Sequence, residues 1–468
     1  MSDSRRESAS TVGIVSSTQH LAKIIDTAAE NSRKSSKISS NISQLRLSNM
    51  NLHGRDDELK LLRGKLRELA KKKGGEGDEQ QQTSATNVIL VSGKSGTGKS
   101  ALINKGLAEP ASRFGHTFAK GKFDQKLRRP LSAFSGAMEN LCRCIQTNKS
   151  AASIREEIQN EFDGDGLGQL NRVIPGFAEF VGSSIIDKQF SSKKLLKLPS
   201  LAELDRDDAS CSTLGNARRR HSIVIGEEAI SRMHYAVRRL LKIICSHLKG
   251  VVLFIDDLQW SDKATLDMLN SIVLDKEIPS LLIVGAYRRD EVTDRLASCI
   301  EDIQKMDISV TKINVGNINT DNVTSFVTDA LGMDENDSKV KELAVIIHKK
   351  TEGNPFFVAI FLTSLYDDKI LQFNFGTMKW FWKIDDVESM VVTDNVANVL
   401  VKKLHRMKEE SQRMLMVASC LGASFRMSAI VQIMNNMSDR ELRSSMRKSS
   451  PCLPLMAGLD RKVLNWRS

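Results

Sequence analysis

The sequence predicts an α/β fold, a parallel sheet that gives way to an all-helical stretch further along the chain. Three observations carry this. A short apolar strand, Asn87 to Ser92, runs into a glycine-rich loop and then a helix from about Gly98, the order that opens an α/β unit. Two further runs, Val251 to Ile255 and Leu281 to Tyr287, are apolar without alternation, as suits strands covered on both faces. Beyond about Asn314 the strand pattern stops and helical periodicity takes over.

The elements follow in order. Residues 1–50 are rich in Ser, Lys and Arg and read as a disordered tail. Leu59, Leu62, Leu66 and Leu69 then lie on one face of an amphipathic helix. Leu170, Ile174, Phe177 and Val181 recur at helical spacing. Residues 187–222 lose all periodicity and read as an insertion in the α/β unit. A helix carrying Ile230, Met233, Val237, Leu240, Leu241, Ile244 and Leu248 leads into the strand at Val251. Thr320 is placed to cap a helix with Val323, Phe326, Val327, Ala330 and Leu331 on one face. Helices are expected over Ser338 to Lys350 and from Pro355. A hairpin is expected over Ile370 to Ile384, turning at Gly376-Thr377 with Trp380 and Trp382 in its second strand. Helices resume over Val396 to Met407 and Glu409 to Leu421.

Composition removes several classes. Of 468 residues, 41% are hydrophobic and 27% charged, with mean hydropathy −0.26. These values exclude a mostly disordered, collagen-like or membrane-embedded chain. No apolar run approaches the ~20 residues of a membrane span. The seven cysteines form no framework, which points to reduced thiols in the cytoplasm, with the nucleus as the alternative. The net charge of +11 permits a nucleic-acid or acidic-membrane partner without requiring one.

The chemistry concentrates in two places. Gly93-Lys94-Ser95-Gly96-Thr97-Gly98-Lys99-Ser100 fits G-x-x-x-x-G-K-[ST] at every fixed position. Glycines let the backbone curl so that its N–H groups point at phosphate oxygens, and the helix behind presents its positive end to the same anion. The candidate phosphate-binding residues are Gly93, Ser95, Gly96, Thr97, Gly98, Lys99, Ser100 and Ala101. Lys99 supplies a full charge and the Ser100 hydroxyl is a Mg²⁺ ligand. The second place is the end of the Val251 strand, Asp256-Asp257. Asp256 is the expected second Mg²⁺ ligand, and Asp257 the base that polarises an attacking water. Arg288, at the end of the Leu281 strand, is placed to stabilise a γ-phosphate. An Asn-Lys-x-Asp guanine signature is absent from the sequence, which favours ATP over GTP.

Lesser signals are weaker. Asp163-Gly164-Asp165-Gly166 resembles a Ca²⁺ loop, but Leu167 and Ile174 stand where ligands are needed. Protein-kinase signatures are missing. Arg5-Arg6-Glu7-Ser8 and Arg219-Arg220-His221-Ser222 resemble basophilic kinase sites in segments expected to be extended.

Together these residues resemble the STAND class of P-loop ATPases, and more narrowly its origin-recognition-complex-like AAA ATPase domain. Leu52-His53-Gly54-Arg55-Asp56-Asp57-Glu58 resembles the family's first motif, which puts Arg55 near the adenine. Gly121-Lys122-Phe123-Asp124-Gln125 resembles the segment after its second strand, and Gly285-Ala286-Tyr287-Arg288 its sensor strand. Asp256-Asp257-Leu258-Gln259-Trp260-Ser261-Asp262 is close to its extended Walker B. Glu352-Gly353-Asn354-Pro355-Phe356-Phe357 resembles its lid motif, in which Pro355 would pack on the nucleotide. A Met-His-Asp motif, which locks some members in the ADP form, is missing.

The resemblance implies a P-loop NTPase core over 51–314, a helical lid over 315–369, a winged-helix module over 370–440 and an unassigned tail over 441–468. It implies a switch that uses ATP, ADP and Mg²⁺, hydrolyses ATP slowly, self-associates in the ATP state and answers to an unidentified upstream protein or effector. Relatives carry repeats or an effector beyond the winged helix; a fragment, a truncated product and a stand-alone switch all fit this chain. A DNA-binding initiator-like ATPase is the alternative, supported by basic charge and a winged helix, with DNA as the less favoured partner. A nucleotide-binding scaffold without turnover is a third reading.

Overall fold

The computed structural model describes residues 45–47, 50–71, 87–123, 130–182, 216–306, 308–390 and 407–421, with short pieces at 404, 430 and 432–434. Most of the tail expected over 1–50, most of the helix expected over 396–407 and the stretch 441–468 lie outside the described residues, as does Ser8. Residues 45–47 and 50 correct the disordered-tail expectation, because the apolar side chains of Leu45, Leu47 and Met50 pack on a helical subdomain.

Helix α1 (Asp56–Lys71) precedes strand β1 (Asn87–Gly93). Helix α2 (Lys99–Ile103) runs through a π-helical stretch, Asn104–Ala108, into α3 (Glu109–Phe114). Next come β2 (Thr117–Lys122), α4 (Ser132–Gln146), α5 (Ala151–Glu161), α6 (Gly164–Val173), α7 (Phe177–Val181) and α8 (Asn216–His247). Then follow β3 (Val251–Asp256), α9 (Lys263–Val273), β4 (Leu281–Arg288), α10 (Asp294–Lys305) and β5 (Val310–Asn314).

The five strands are parallel in the order β2-β3-β4-β1-β5. Their apolar runs divide by alternate residues, because successive side chains leave opposite faces. Val88, Leu90, Val251, Leu253, Ile255, Leu281 and Ile283 join α4–α10 in one buried cluster. Ile89, Val91, Val252, Phe254, Leu282, Val284 and Ala286 join the leucines of α1 and α2 in another. Covering both faces leaves the carboxyl ends of the strands as the open edge, where ligands of such sheets bind.

A helical subdomain follows: α11 (Thr320–Leu331), α12 (Ser338–Thr351) and α13 (Pro355–Asp367). It has its own apolar cluster, which also takes in Leu371, Trp380 and Val387. Trp380 belongs to a hairpin of β6 (Gln372–Asn374) and β7 (Lys379–Phe381). Its indole N–H is donated to Leu331 O at 2.8 Å, and its ring packs edge-on to Tyr366 and Phe373. Helices α14 (Ile384–Ser389) and α15 (Glu409–Leu421) complete the description.

Residues 45–47 and 50–55 form a strap across this subdomain. The amide of Arg46 is donated to Ala330 O, Asn51 and His53 reach Asp329, and Gly54 lies against Asn322. The strap therefore runs from the end of α11 towards its start. Leu45, Leu47 and Met50 pack on the helical cluster.

Several expectations need correction. The cap of α11 is Asn319, whose side chain accepts from Asn322 N, and Thr320 is the first helical residue; Asn is the stronger cap. The Leu170–Val181 run is two helices, broken where Pro175 and Gly176 intervene and Gly176 takes φ 73°. Helix α8 starts at Asn216, inside the stretch read as an insertion to 222. Ser222 thus lies in helical backbone beyond the first turn, without the extended conformation a kinase site was expected to have. Trp382 falls just past β7. Asp163, of the rejected Ca²⁺ loop, caps α6 by accepting from Gly166 N.

Candidate functional site

The glycine-rich loop leaves the carboxyl end of β1 and closes on α2. Three of its glycines are demanded by space or dihedral. A Cβ on Gly93 would meet Val315 O at 2.3 Å. Gly96 takes φ 81° and Gly98 φ 92°, left-handed values that cost a side-chain-bearing residue about 1–2 kcal/mol. Gly98 is the cap of α2 and makes no side-chain cap bond. The amides of Lys99, Ser100 and Ala101 therefore open the helix without i−4 partners within it.

Lys99 is buried, and its Nζ is donated to Gly93 O at 2.8 Å and Lys94 O at 2.9 Å. Burial lowers its pKa, Arg288 adds to the shift, and Asp257, Asp256 and Asp290 oppose it. Thr97 braces the loop from within, Oγ1 to Lys94 O at 2.9 Å. Arg55 braces it from outside, with Nη2 donated to Thr97 O at 3.4 Å and to Gly316 O, and Nη1 facing Glu58. Burial lowers the Arg55 pKa against the opposing effect of Glu58.

The two carboxylates stand in different settings. Asp256 ends β3, fully buried, and accepts from Ser100 Oγ at 2.9 Å; Lys120 Nζ lies 3.8 Å away. Asp257 takes left-handed backbone, φ 62° and ψ 46°, uncommon for a non-glycine residue. Its carboxylate accepts from Gln259 Nε2 at 3.1 Å and pairs with Lys122 Nζ at 3.0 Å. Lys122 arrives on β2 in register with Asp256.

Strand β4 lies between β1 and β3, so Arg288 emerges beside Gly93. Its amide is donated to Gln259 Oε1 at 3.0 Å. Its guanidinium sits over the Trp260 ring at 5.0 Å and pairs with Glu291 at 2.5 Å. Asp262 caps α9 through Thr265 N and also accepts from Leu131 N. The residues after Asp257 are thus scaffold: Gln259 holds Asp257 and the Arg288 backbone, Trp260 carries the guanidinium, and Asp262 fixes two helix starts.

The helical subdomain touches the loop directly. Asn354, 6% exposed, caps α13 by accepting from Phe356 N at 3.1 Å and donates Nδ2 to Ser95 O at 2.9 Å. Phe356 N also faces Gly96 O at 3.3 Å. A Cβ on Gly96 would meet Asn354 Oδ1 at 2.6 Å. Pro355 occupies the first turn of α13, where its missing N–H costs nothing.

The structure therefore gathers Arg55, Gly93 to Ala101, Asp256, Asp257, Arg288 and the Asn354–Phe356 turn around one edge. Sequence reasoning did not single out Lys122, Gln259 or Asn354 as site residues. All three stood inside quoted motifs, and Asn354 also carried a helix-start signal, Asn before Pro, but the role in the lid motif was given to Pro355.

The residues fit Mg²⁺-nucleotide. Ser100 and Asp256 offer hard oxygens side by side, and a cation held by so few protein ligands would take the rest from phosphate and water. Among the described residues no group of three His, Cys, Asp or Glu could hold a metal alone. Among the same residues, no helix is long and apolar enough to cross a membrane.

The hybrid signal transduction histidine kinase G of Dictyostelium discoideum is 23% identical to this chain over 446 residues, 80% of this chain and 11% of that protein. The peroxide stress-activated histidine kinase mak3 of Schizosaccharomyces pombe is 23% identical over 210 residues, 44% of this chain and 8% of that protein. The chain spans about a tenth of the length of these relatives. Among solved structures, the ORC2 protein of Aeropyrum pernix in ADPNP–ADP complexes aligns over 88% of this chain and 91% of its own, with 10% identity and a TM-score of 0.40. Cdc6p from Pyrobaculum aerophilum aligns over 89% and 88%, with 10% identity and a TM-score of 0.35. Neither superposes closely enough to bear on the site. The AAA ATPase domain model matches residues 51–284, half of the chain. That span includes both the loop and the acidic strand end, and the chain belongs to the AAA ATPase domain family.

Proposed function

We propose that the chain is an ATP-responsive regulatory switch of the STAND kind with slow hydrolysis. The observation that carries this is the contact of Asn354 and Phe356 with the phosphate loop. A subdomain resting on the loop is positioned to respond when the loop fills. In this reading the amides from Ser95 to Ala101 and the Lys99 ammonium hold phosphates. Ser100 and Asp256 hold Mg²⁺, which when bound neutralises phosphate charge. Asp257 takes the proton of the attacking water once it exchanges Lys122 for that water. Arg288, kept near Lys99 by Gln259 and Trp260, meets the γ-phosphate. Arg55 and Pro355 face the nucleoside side.

The subdomain over 315–369 acts as the lid, and the hairpin and helices within 370–440 form the winged-helix lever. The ATP form self-associates and passes its state to an effector. The signalling role draws support from the names of the two histidine-kinase relatives. Trp380 is committed to Leu331 and its own cluster, which removes one stacking surface from the DNA-binding alternative.

Two variants test the assignment together. Lys99→Ala removes the full charge of the cradle and is expected to weaken MgATP binding at least tenfold, about 1.4 kcal/mol, by calorimetry. Asp257→Asn is expected to bind MgATP and lose phosphate release. Unchanged affinity in folded Lys99→Ala, or wild-type turnover in Asp257→Asn, overturns the corresponding role.

A further inference from the structure

A loop whose N–H groups converge on an anion must turn its carbonyls outward, and buried carbonyls need donors. Here every carbonyl from residue 93 to 97 has one. Those of Gly93 and Lys94 accept from Lys99 Nζ. Ser95 O accepts from Asn354 Nδ2, Gly96 O from Phe356 N and Thr97 O from Arg55 Nη2. The last three donors all come from outside the loop, two of them from the helical subdomain.

Each of these carbonyls shares a peptide group with the next residue's N–H. The peptides 95–96, 96–97 and 97–98 therefore offer N–H inward and C=O outward. Hydrogen bonds at the two ends of a peptide polarise each other and strengthen together, by about 10–30% per bond.

We propose that phosphate and the helical subdomain bind opposite ends of the same loop peptides, with Asn354 as the positioning residue that makes the outer contact, so that nucleotide binding and subdomain docking reinforce each other through the backbone. This rests on the nucleotide-binding reading above. Binding linkage is reciprocal: the factor by which phosphate tightens docking equals the factor by which docking tightens MgATP. Gly96 is required twice, for its dihedral and because a Cβ there would push Asn354 away.

Asn354 has two separable tasks. Its Oδ1 caps α13, which Asp does equally well; its Nδ2 holds Ser95 O, which Asp cannot do. Asn354→Asp therefore keeps the cap and loses the grip, whereas Asn354→Ala loses both. Hydrogen exchange of the nucleotide-free protein reads this directly. Both variants are expected to exchange at least fivefold faster in peptides covering 93–98 and 353–357. Protection within 358–367 should fall only in Asn354→Ala. In titrations, Asn354→Asp should need at least fivefold more MgATP than wild type. Wild-type exchange over 93–98 in Asn354→Asp, or wild-type MgATP affinity in a variant whose exchange has risen, overturns the proposal. If wild-type protein does not bind MgATP, the nucleotide reading fails and the reinforcement with it, while the exchange data still decide whether Asn354 holds the loop.

Discussion

The sheet core and the helical subdomain are each held by apolar burial, but their junction is made differently. The sheet is covered on both faces, with Phe254, Leu253 and Val284 fully buried. The subdomain has a separate cluster around Val323, Ile347 and Leu362. Where the two meet at the loop, the hydrogen bonds come from the Asn354 amide, the Phe356 N–H and the Arg55 guanidinium, while the strap adds polar contacts and the apolar side chains of Leu45, Leu47 and Met50. Separating apolar surfaces costs about 25 cal/mol for each Å² exposed, whereas polar groups parted from each other find water. The contacts at the loop can part without melting either body, whereas the apolar part of the strap resists separation.

The comparison can be broken from the core side first. Phe254→Ala empties a fully buried site beside Phe118 and should destabilise the sheet by about 3–5 kcal/mol. Urea unfolding should show the core transition moved and the protection of α11–α13 retained. Loss of both together would mean the bodies fold as one unit.

A smaller effect is expected from the subdomain side. Trp380→Phe keeps an aromatic side chain but loses the pyrrole part of the indole and its donor to Leu331 O; the bond is worth about 1 kcal/mol and the space left behind adds to the loss. Hydrogen exchange should quicken near the end of α11 and in the hairpin, and leave β1, β3 and β4 unchanged.

The smallest effect sharpens the contrast by pH. His116 is buried at the start of β2, the end of the sheet away from the loop. Burial lowers its pKa, Lys249 adds to this, and the Leu66 backbone opposes it. The folded core thus favours the neutral ring. Above about pH 6.5, the unfolded value, the group adds no pH dependence. As pH falls below that, the unfolded chain takes up a proton that the folded one resists, and stability declines until the lowered folded pKa is passed. In His116→Leu this part of the slope should vanish from the core transition, and the subdomain should show no change in either protein.

What the sequence made legible divides along the same junction. The strands were readable because two-sided burial leaves an apolar run without alternation, and the loop because its chemistry tolerates few residues. Strand β5 gave little signal: only Ile313 of Val310–Asn314 is buried, so an edge strand looks like a polar connection. The insertion of β4 between β1 and β3 is a matter of topology, and no local pattern encodes it. Lys122 meets Asp257 only through the β2–β3 register. Asn354 advertised a helix start, while its reach to Ser95, 259 positions away, is a tertiary fact. The extended acidic motif was read as a family mark; the structure gives its Gln259, Trp260 and Asp262 separate physical tasks.

The strap has a practical consequence for how this protein is handled. The family match begins at residue 51, a natural place to start an expressed fragment. That cut would remove Leu45, Arg46, Leu47 and Met50, uncover the apolar surface they shield and free the Ala330 carbonyl that Arg46 holds. Asn51, His53 and Arg55 would remain, the first two on Asp329 of α11 and the third on the loop. A fragment starting at residue 45 keeps the whole run, and the difference between the two in aggregation and in subdomain mobility would measure how much of the molecule's order is supplied by a handful of residues outside its recognised boundary.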